Sequence, residues 1–276
     1  MMWLFIIYFL LFIFLSWKNF KFALSLFVFV LPFSYLIRFD FFGLPSTLLE
    51  LSFGAIFLVW IVKYFKNDYQ NIKLFVKQNK IFSIFVFLFF IASILGIIIS
   101  DEMYKSLGHW RAFFLEPMLL FILLISHFYN QSEIKNRWGI VWGNNWTVLF
   151  LALSTLPISL LAILQKFFPM LYPPRLWWLE TFGRPTSFFY TPNAIGLYLL
   201  PIMILLVSLI LKYRKEIKKQ LFYFCISILF FDLIAIFLSF SQGAWVALVF
   251  GILFLIFLLG YKKIAILFVI ASVIFF

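Results

Sequence analysis

The chain has 276 residues, of which 66% are hydrophobic and 12% charged, with a net charge of +12. Soluble domains carry about 45–50% apolar and about 25% charged residues, and even chains of about 300 residues bury only about 75% of the surface they expose unfolded. A soluble enzyme, a disordered chain and a disulfide scaffold are therefore excluded, the last because Cys225 is the single cysteine.

A membrane-spanning helix needs about 20 mostly apolar residues. Ten segments approach that pattern in chain order: 2–16, 22–37, 47–62, 81–99, 112–128, 146–168, 190–211, 221–239, 242–259 and 264–276. The expected fold is all-α: a polytopic transmembrane helical bundle of about ten spans, with 1–276 as a single transmembrane domain. No small-residue cleavage site follows the first run, so it reads as a retained helix and not a signal peptide. The last run reaches Phe276 with no flanking charge, so the protein is expected to continue beyond it.

The basic residues lie between the apolar runs, which argues against a nucleic-acid partner and for membrane orientation. One set of alternating loops holds Lys18 and Lys21, then Lys63, Lys66, Lys73, Lys77 and Lys80, then Lys135 and Arg137, then Lys212, Arg214, Lys215, Lys218 and Lys219, then Lys262 and Lys263. The other set holds Arg38, Lys105, Arg111, Arg175 and Arg184 alone. Lysine-rich loops stay cytoplasmic. The N-terminus is thus expected outside, together with Arg184 and the turn before residue 242.

Ionisable residues inside apolar spans cost about 2.5–3.5 kcal/mol on insertion scales, so those that persist are candidates for function. Glu50, Glu116 and Asp232 qualify. Glu116 lies five residues after Arg111, and an ion pair fixing helix packing is its expected role. Asp232 sits midway along its span, where a hydrogen bond to a neighbouring helix competes with a functional role. His109 and His127 lie at opposite ends of one span and cannot share a site. No metal-ligand spacing and no glycine-rich phosphate loop occurs, so neither metal nor cofactor is expected.

The segment from Gln165 to Gly196 carries Pro169, Pro173, Pro174, Pro185 and Pro192, half of the ten prolines. Proline fixes φ and stops helices, so this external loop is shaped. Trp177 and Trp178 suit the headgroup level. Thr191 reads as an N-cap and Pro192 as the first helical residue. The following helix then points its positive end outward beside Arg184, and a guanidinium with free helix N–H groups suits phosphate. A second tight polar turn, Ser239 to Trp245, joins two later spans.

Five features recur in a fixed order: Gln165 near the end of a span, the external Arg184, Ser187-Phe188, Pro192-Asn193-Ala194-Ile195-Gly196 opening the next span, and Ser241-Gln242-Gly243-Ala244-Trp245 in the following external turn. In that order and spacing the region from about Leu153 to Phe250 resembles the O-antigen ligase and O-antigen polymerase family of bacterial polytopic membrane proteins. The chain departs from the family pattern where Gln242 stands for a second external arginine. The family's large external loop, which carries a histidine, falls beyond Phe276.

The resemblance implies a multi-span glycosyltransferase of the GT-C type, metal-independent and inverting, in the bacterial cytoplasmic membrane. The donor would be a glycan on a polyprenyl diphosphate. The acceptor would be a hydroxyl of a lipid, a glycan or a protein. It implies diphosphate binding by Arg184, Gln242 and Asn193, and sugar or lipid entry past Arg175, Trp177 and Trp178. Gln165, Arg111, Glu116 and Asp232 are structural or accessory, and the catalytic base is expected beyond Phe276. Two other readings compete. A polysaccharide exporter or flippase would want more ionisable residues lining a midplane cavity. A non-catalytic membrane scaffold would be consistent with Gln242.

Overall fold

The computed structural model of the chain describes residues 2–35, 38–41, 44–128, 146–172, 183–214 and 217–260. Arg175, Trp177, Trp178 and the apolar segment 264–276 lie outside the described residues. The regular elements among the described residues are helices and two four-residue strands, Arg38–Phe41 and Leu44–Thr47. Among the described residues six helices are long and apolar enough to cross a membrane: Leu48–Gln78, Lys80–Ile99, Met103–His127, Thr147–Phe167, Pro192–Lys212 and Lys219–Leu238. Three shorter apolar helices, Trp3–Lys18, Phe20–Phe33 and Gln242–Leu258, accompany them.

The chain divides into two compact units. The first comprises Met1–Leu24 and Phe41–Asn145. Its helices are α1 (Met2–Lys18), α3 (Leu48–Val59), α4 (Phe65–Gln78), α5 (Lys80–Ile99), α6 (Met103–Trp110) and α7 (Glu116–Phe128), and α2 (Phe20–Val30) starts within it. The Thr47 hydroxyl accepts from the Glu50 amide, and the Glu50 carboxylate accepts from the Thr47 amide. This capping box satisfies two orphan donors at the start of α3. Helix α3 packs on α1, with Tyr8 and Ser52 hydroxyls 2.6 Å apart.

Two boundaries in this unit differ from the sequence reading. Residues 63–80 do not form a loop: the helix runs from Leu48 to Gln78 through a π turn at Trp60–Tyr64. The lysines there obscure a 3.6-residue period that turns Asp68, Asn71 and Phe75 to one face. The span predicted from residue 112 begins at Met103, and a second π turn, Arg111–Leu115, carries the polar first turns into it.

The second unit comprises Ser25–Asp40 and Trp146–Phe276. It holds the end of α2, a 3₁₀ turn at Leu31–Tyr35, and helices α8 (Trp146–Phe167), α9 (Pro192–Lys212), α10 (Lys219–Leu238) and α11 (Gln242–Leu258). The span predicted to run to residue 37 leaves α-helical geometry at Val30, because Pro32 has no N–H to continue the ladder. The core joins Ile158 and Ala162 of α8, Ile195, Leu199 and Met203 of α9, Ala235 and Ile236 of α10, and Ala244 of α11. Gly196 permits a close helix approach: a Cβ added there would stand 2.5 Å from the Ala244 Cβ. The starts of α9 and α11 are thereby brought side by side.

Candidate functional site

The loop that carries Arg184 is anchored from below by one side chain. Gln165, fully buried near the end of α8, accepts from the Thr186 and Ser187 amides at 3.1 and 2.7 Å. Its Nε2 donates to the Ser187 carbonyl at 3.2 Å and to the Leu171 carbonyl at 3.3 Å. Ser187 has φ of 54°, a left-handed conformation that an ordinary side chain adopts at a cost of order 1 kcal/mol or more. The two Gln165 bonds to its backbone, and its own hydroxyl donating to the Ile158 carbonyl at 2.9 Å, hold it there. Gly183, with φ of 70°, starts the same turn. Its carbonyl accepts from the Tyr172 hydroxyl at 3.3 Å, and burial raises the Tyr172 hydroxyl above its ordinary pKa.

Arg184 is held between two elements distant in sequence. Its Nε donates to the Ser239 carbonyl at 2.8 Å, and its Nη2 to the Asn193 side-chain oxygen at 2.9 Å. The first bond ties the loop to the turn between α10 and α11, and the second to the first turn of α9. The remaining guanidinium N–H groups have no partner among the described residues, and an arginine has five in all. Phe240, with φ of 49°, makes the sharp corner after Ser239. Trp245 supports that corner, stacking on Phe237 at 5.5 Å and donating to the Ile236 carbonyl.

These elements enclose a cleft of about 640 Å³. Arg184, Asn193, Ser241 and Gln242 form its polar side, while Leu197, Leu200, Phe240 and Ala247 form an apolar flank. Helices α9 and α11 both start at this cleft, and neither N-cap residue, Thr191 or Ser241, makes a side-chain capping bond. The position read as the N-cap is correct and Pro192 is the first helical residue, but the Thr191 hydroxyl does not close the helix end. Two helix ends with positive partial charge thus face the same space as a guanidinium, an arrangement suited to an anion.

Sequence reasoning missed Lys166. Its Nζ lies 3.5 Å from the Gly183 carbonyl and 5.6 Å from the centroid of the Phe240 ring. That places a second cation beside Phe240, one of the residues that line the cleft. The signal was adjacency to Gln165, which the linear reading treated only as the end of a span. The Ser239 carbonyl was equally invisible, because backbone acceptors carry no sequence signature.

The other candidates fall elsewhere. Asp232, fully buried, accepts a hydrogen bond from Ser159 of α8 and so joins two helices of the same unit. In the first unit Arg111 bonds Glu50 at 2.9 Å and approaches Glu116 at 3.5 Å. The expected Arg111–Glu116 pair is present, and Glu50, distant in sequence, is its stronger partner. His127 lies 3.2 Å from Asp68, which also accepts from the Trp60 indole at 3.1 Å. His109 stacks on Phe113. Both histidines belong to the first unit and Arg184 to the second. No group of three or more His, Cys, Asp or Glu residues placed to hold a metal occurs among the described residues.

Comparison with protein-family profiles, characterised proteins and solved structures returns no match to this chain.

Proposed function

We propose that the protein is a membrane glycosyltransferase of the O-antigen ligase or polymerase type, acting on a polyprenyl-diphosphate-linked glycan. The observation that carries this reading is Arg184, held by Ser239 and Asn193 at the common mouth of two uncapped helices. A lipid diphosphate has an anionic head and an apolar tail. The cleft offers a polar side and an apolar flank of Leu197, Leu200, Phe240 and Ala247. The order of Gln165, Arg184, Asn193 and Gln242 in the family-like stretch supports the same reading.

In this reaction the acceptor hydroxyl oxygen attacks the anomeric carbon of the donor sugar. The bond from that carbon to the diphosphate oxygen breaks, and the polyprenyl diphosphate leaves with the electron pair. Arg184, Lys166 and the starts of α9 and α11 stabilise the charge that grows on the leaving group. Gln242 donates hydrogen bonds to it without neutralising it. The hydroxyl proton passes to a general base. The acceptor is a lipid, a glycan or a protein. The family resemblance assigns Arg175, Trp177 and Trp178 to the entry of sugar or lipid. The full proposal has about ten spans, a GT-C-like bundle in a bacterial cytoplasmic membrane, and the N-terminus and the cleft outside.

The test is a transfer assay with purified polyprenyl-diphosphate-linked glycan, comparing the wild type with Arg184→Ala at equal folded protein. Loss of transfer with retained thermal stability supports the proposal. Full transfer by the variant overturns it. One observation favours a non-catalytic scaffold: Gln242 leaves a single arginine in the cleft. Failure of the wild type to bind farnesyl diphosphate would select that reading.

A further inference from the structure

Helices α8–α11 carry one carboxylate between them, Asp232 of α10, and it is fully buried. It stands in a layer of hydroxyl groups. Ser154, Thr155 and Ser159 of α8 are fully buried as well, and the Tyr198 hydroxyl of α9 joins the layer 2.6 Å from Ser154. Thr155 and Ser159 are one turn apart on the face of α8 that meets Asp232.

The protons of this layer are all in use. A hydroxyl has one to give. Ser159 donates its proton to the Asp232 Oδ1. Thr155, beside the same carboxylate, donates to the Ala152 carbonyl at 2.8 Å. Ser154 donates to the Leu151 carbonyl at 2.6 Å, so the bond between Ser154 and Tyr198 takes its proton from Tyr198. The Asp232 Oδ2 has no hydrogen-bond partner among the described residues. The layer holds a negative charge and surplus acceptors, with no donor left to meet them.

No basic side chain of these helices supplies the missing charge. Lys166 lies seven residues past Ser159, with its Nζ 3.5 Å from the Gly183 carbonyl. Arg184 is engaged at Ser239, seven residues past Asp232. Each of these positions is about 10 Å further along its helix. Lys212 closes α9 and Lys219 opens α10, about 20 Å from the layer. Of the remaining titratable groups, Cys225 lies two turns before Asp232, Tyr223 is exposed, and α11 has none. An ionised carboxylate in an apolar interior is paired, neutralised or bound to a metal ion, and one that persists inside a span marks ion or proton chemistry.

We propose that Asp232 binds one small monovalent cation, a proton or a sodium ion, between α8 and α10. Both offer the same chemistry: a single positive charge that meets the Oδ2 and the lone pairs of the Thr155 hydroxyl. One carboxylate matches one charge, and a divalent ion would bring a second that nothing balances. With the cation bound, α10 packs on α8 without an exposed charge in its core. This inference does not depend on the transferase proposal.

The experiment uses the full chain in detergent at one pH and one ionic strength. Thermal unfolding is followed in sodium chloride and in choline chloride, and the infrared carboxyl region is recorded in choline chloride. With sodium as the cation, the melting temperature rises with sodium concentration, as for any ligand of the folded state. Ser159→Ala then moves the half-effective concentration several-fold higher. With a proton as the cation, the two salts give the same melting temperature. The spectrum then shows the C=O stretch of a protonated carboxyl, which shifts in Ser159→Ala because the bond to Oδ1 is gone. Asp232→Asn loses the sodium effect or the band. Ser159→Ala keeps the carboxyl in place and carries the test if Asp232→Asn does not fold. A wild type with neither a sodium effect nor a protonated-carboxyl band that moves in Ser159→Ala overturns the proposal, as does either signal surviving unchanged in folded Asp232→Asn.

Discussion

Gln165 and Ser187 form a reciprocal clamp: the carboxamide oxygen accepts from the Ser187 amide at 2.7 Å while its nitrogen donates to the Ser187 carbonyl at 3.2 Å. One buried side chain thereby fixes a left-handed residue three positions after Arg184. Gln165→Leu keeps the volume but strands the Thr186 and Ser187 amides. An unsatisfied buried donor costs about 1–3 kcal/mol. The melting temperature in detergent should fall accordingly, and anion binding at Arg184 should fall with it. Unchanged binding would show that the loop holds its shape without the clamp.

Arg184→Lys separates charge from geometry. Lysine keeps the positive charge but lacks the planar fork that reaches both the Ser239 carbonyl and the Asn193 oxygen. Affinity for farnesyl diphosphate should drop about tenfold or more, a cost of about 1.4 kcal/mol. Asn193→Ala should produce a smaller loss. In a double-mutant cycle the Arg184 and Asn193 effects should be coupled, since the two side chains touch. Strict additivity would show that their bond is incidental.

Lys166 brings a positive charge beside Phe240, while Gln242 in the cleft lining carries none. Lys166→Ala should weaken diphosphate binding several-fold and flatten its salt dependence, because an exposed charge acts through a screened field. Gln242→Arg in the same protein should restore both, measured by titration at two ionic strengths. If Lys166→Ala leaves affinity and salt dependence untouched, its nearness to Phe240 is packing alone.

Gly196 and Ala244 set the spacing of the two helix ends. Gly196→Ala places a Cβ 2.5 Å from the Ala244 Cβ, so the helices must part. Overpacking of this kind typically costs about 1–3 kcal/mol. Thermal unfolding should occur at a lower temperature, and Ala244→Gly in the same chain should recover much of the loss. Absence of rescue would place the strain elsewhere.

The charge pattern of the loops makes an orientation prediction. Reporter fusions after Lys77 and Lys218 should mark the cytoplasm, and fusions near Leu107 and Glu180 the outside. The reverse in all four would move Arg184 to the cytoplasmic face and remove the outward-facing transferase.

Composition and hydropathy determined, without coordinates, that the chain is helical and apolar enough for a membrane, because the hydrophobic period and run length are local properties. The proline-started helix at Pro192 and the Arg111–Glu116 pair were legible for the same reason: each is set by residues within one or two turns. Residues 63–80 were misread as a loop because lysine density was weighed above the period that turns Asp68, Asn71 and Phe75 inward. Only the tertiary structure decided what meets Arg184. Its partners, the Ser239 carbonyl and Asn193, are brought there by the close approach of α9 and α11 at Gly196 and Ala244 and by the Gln165 clamp below. The same holds for Glu50 with Arg111 and His127 with Asp68. Contacts across long chain separations are chosen by packing, and packing leaves no period in the sequence.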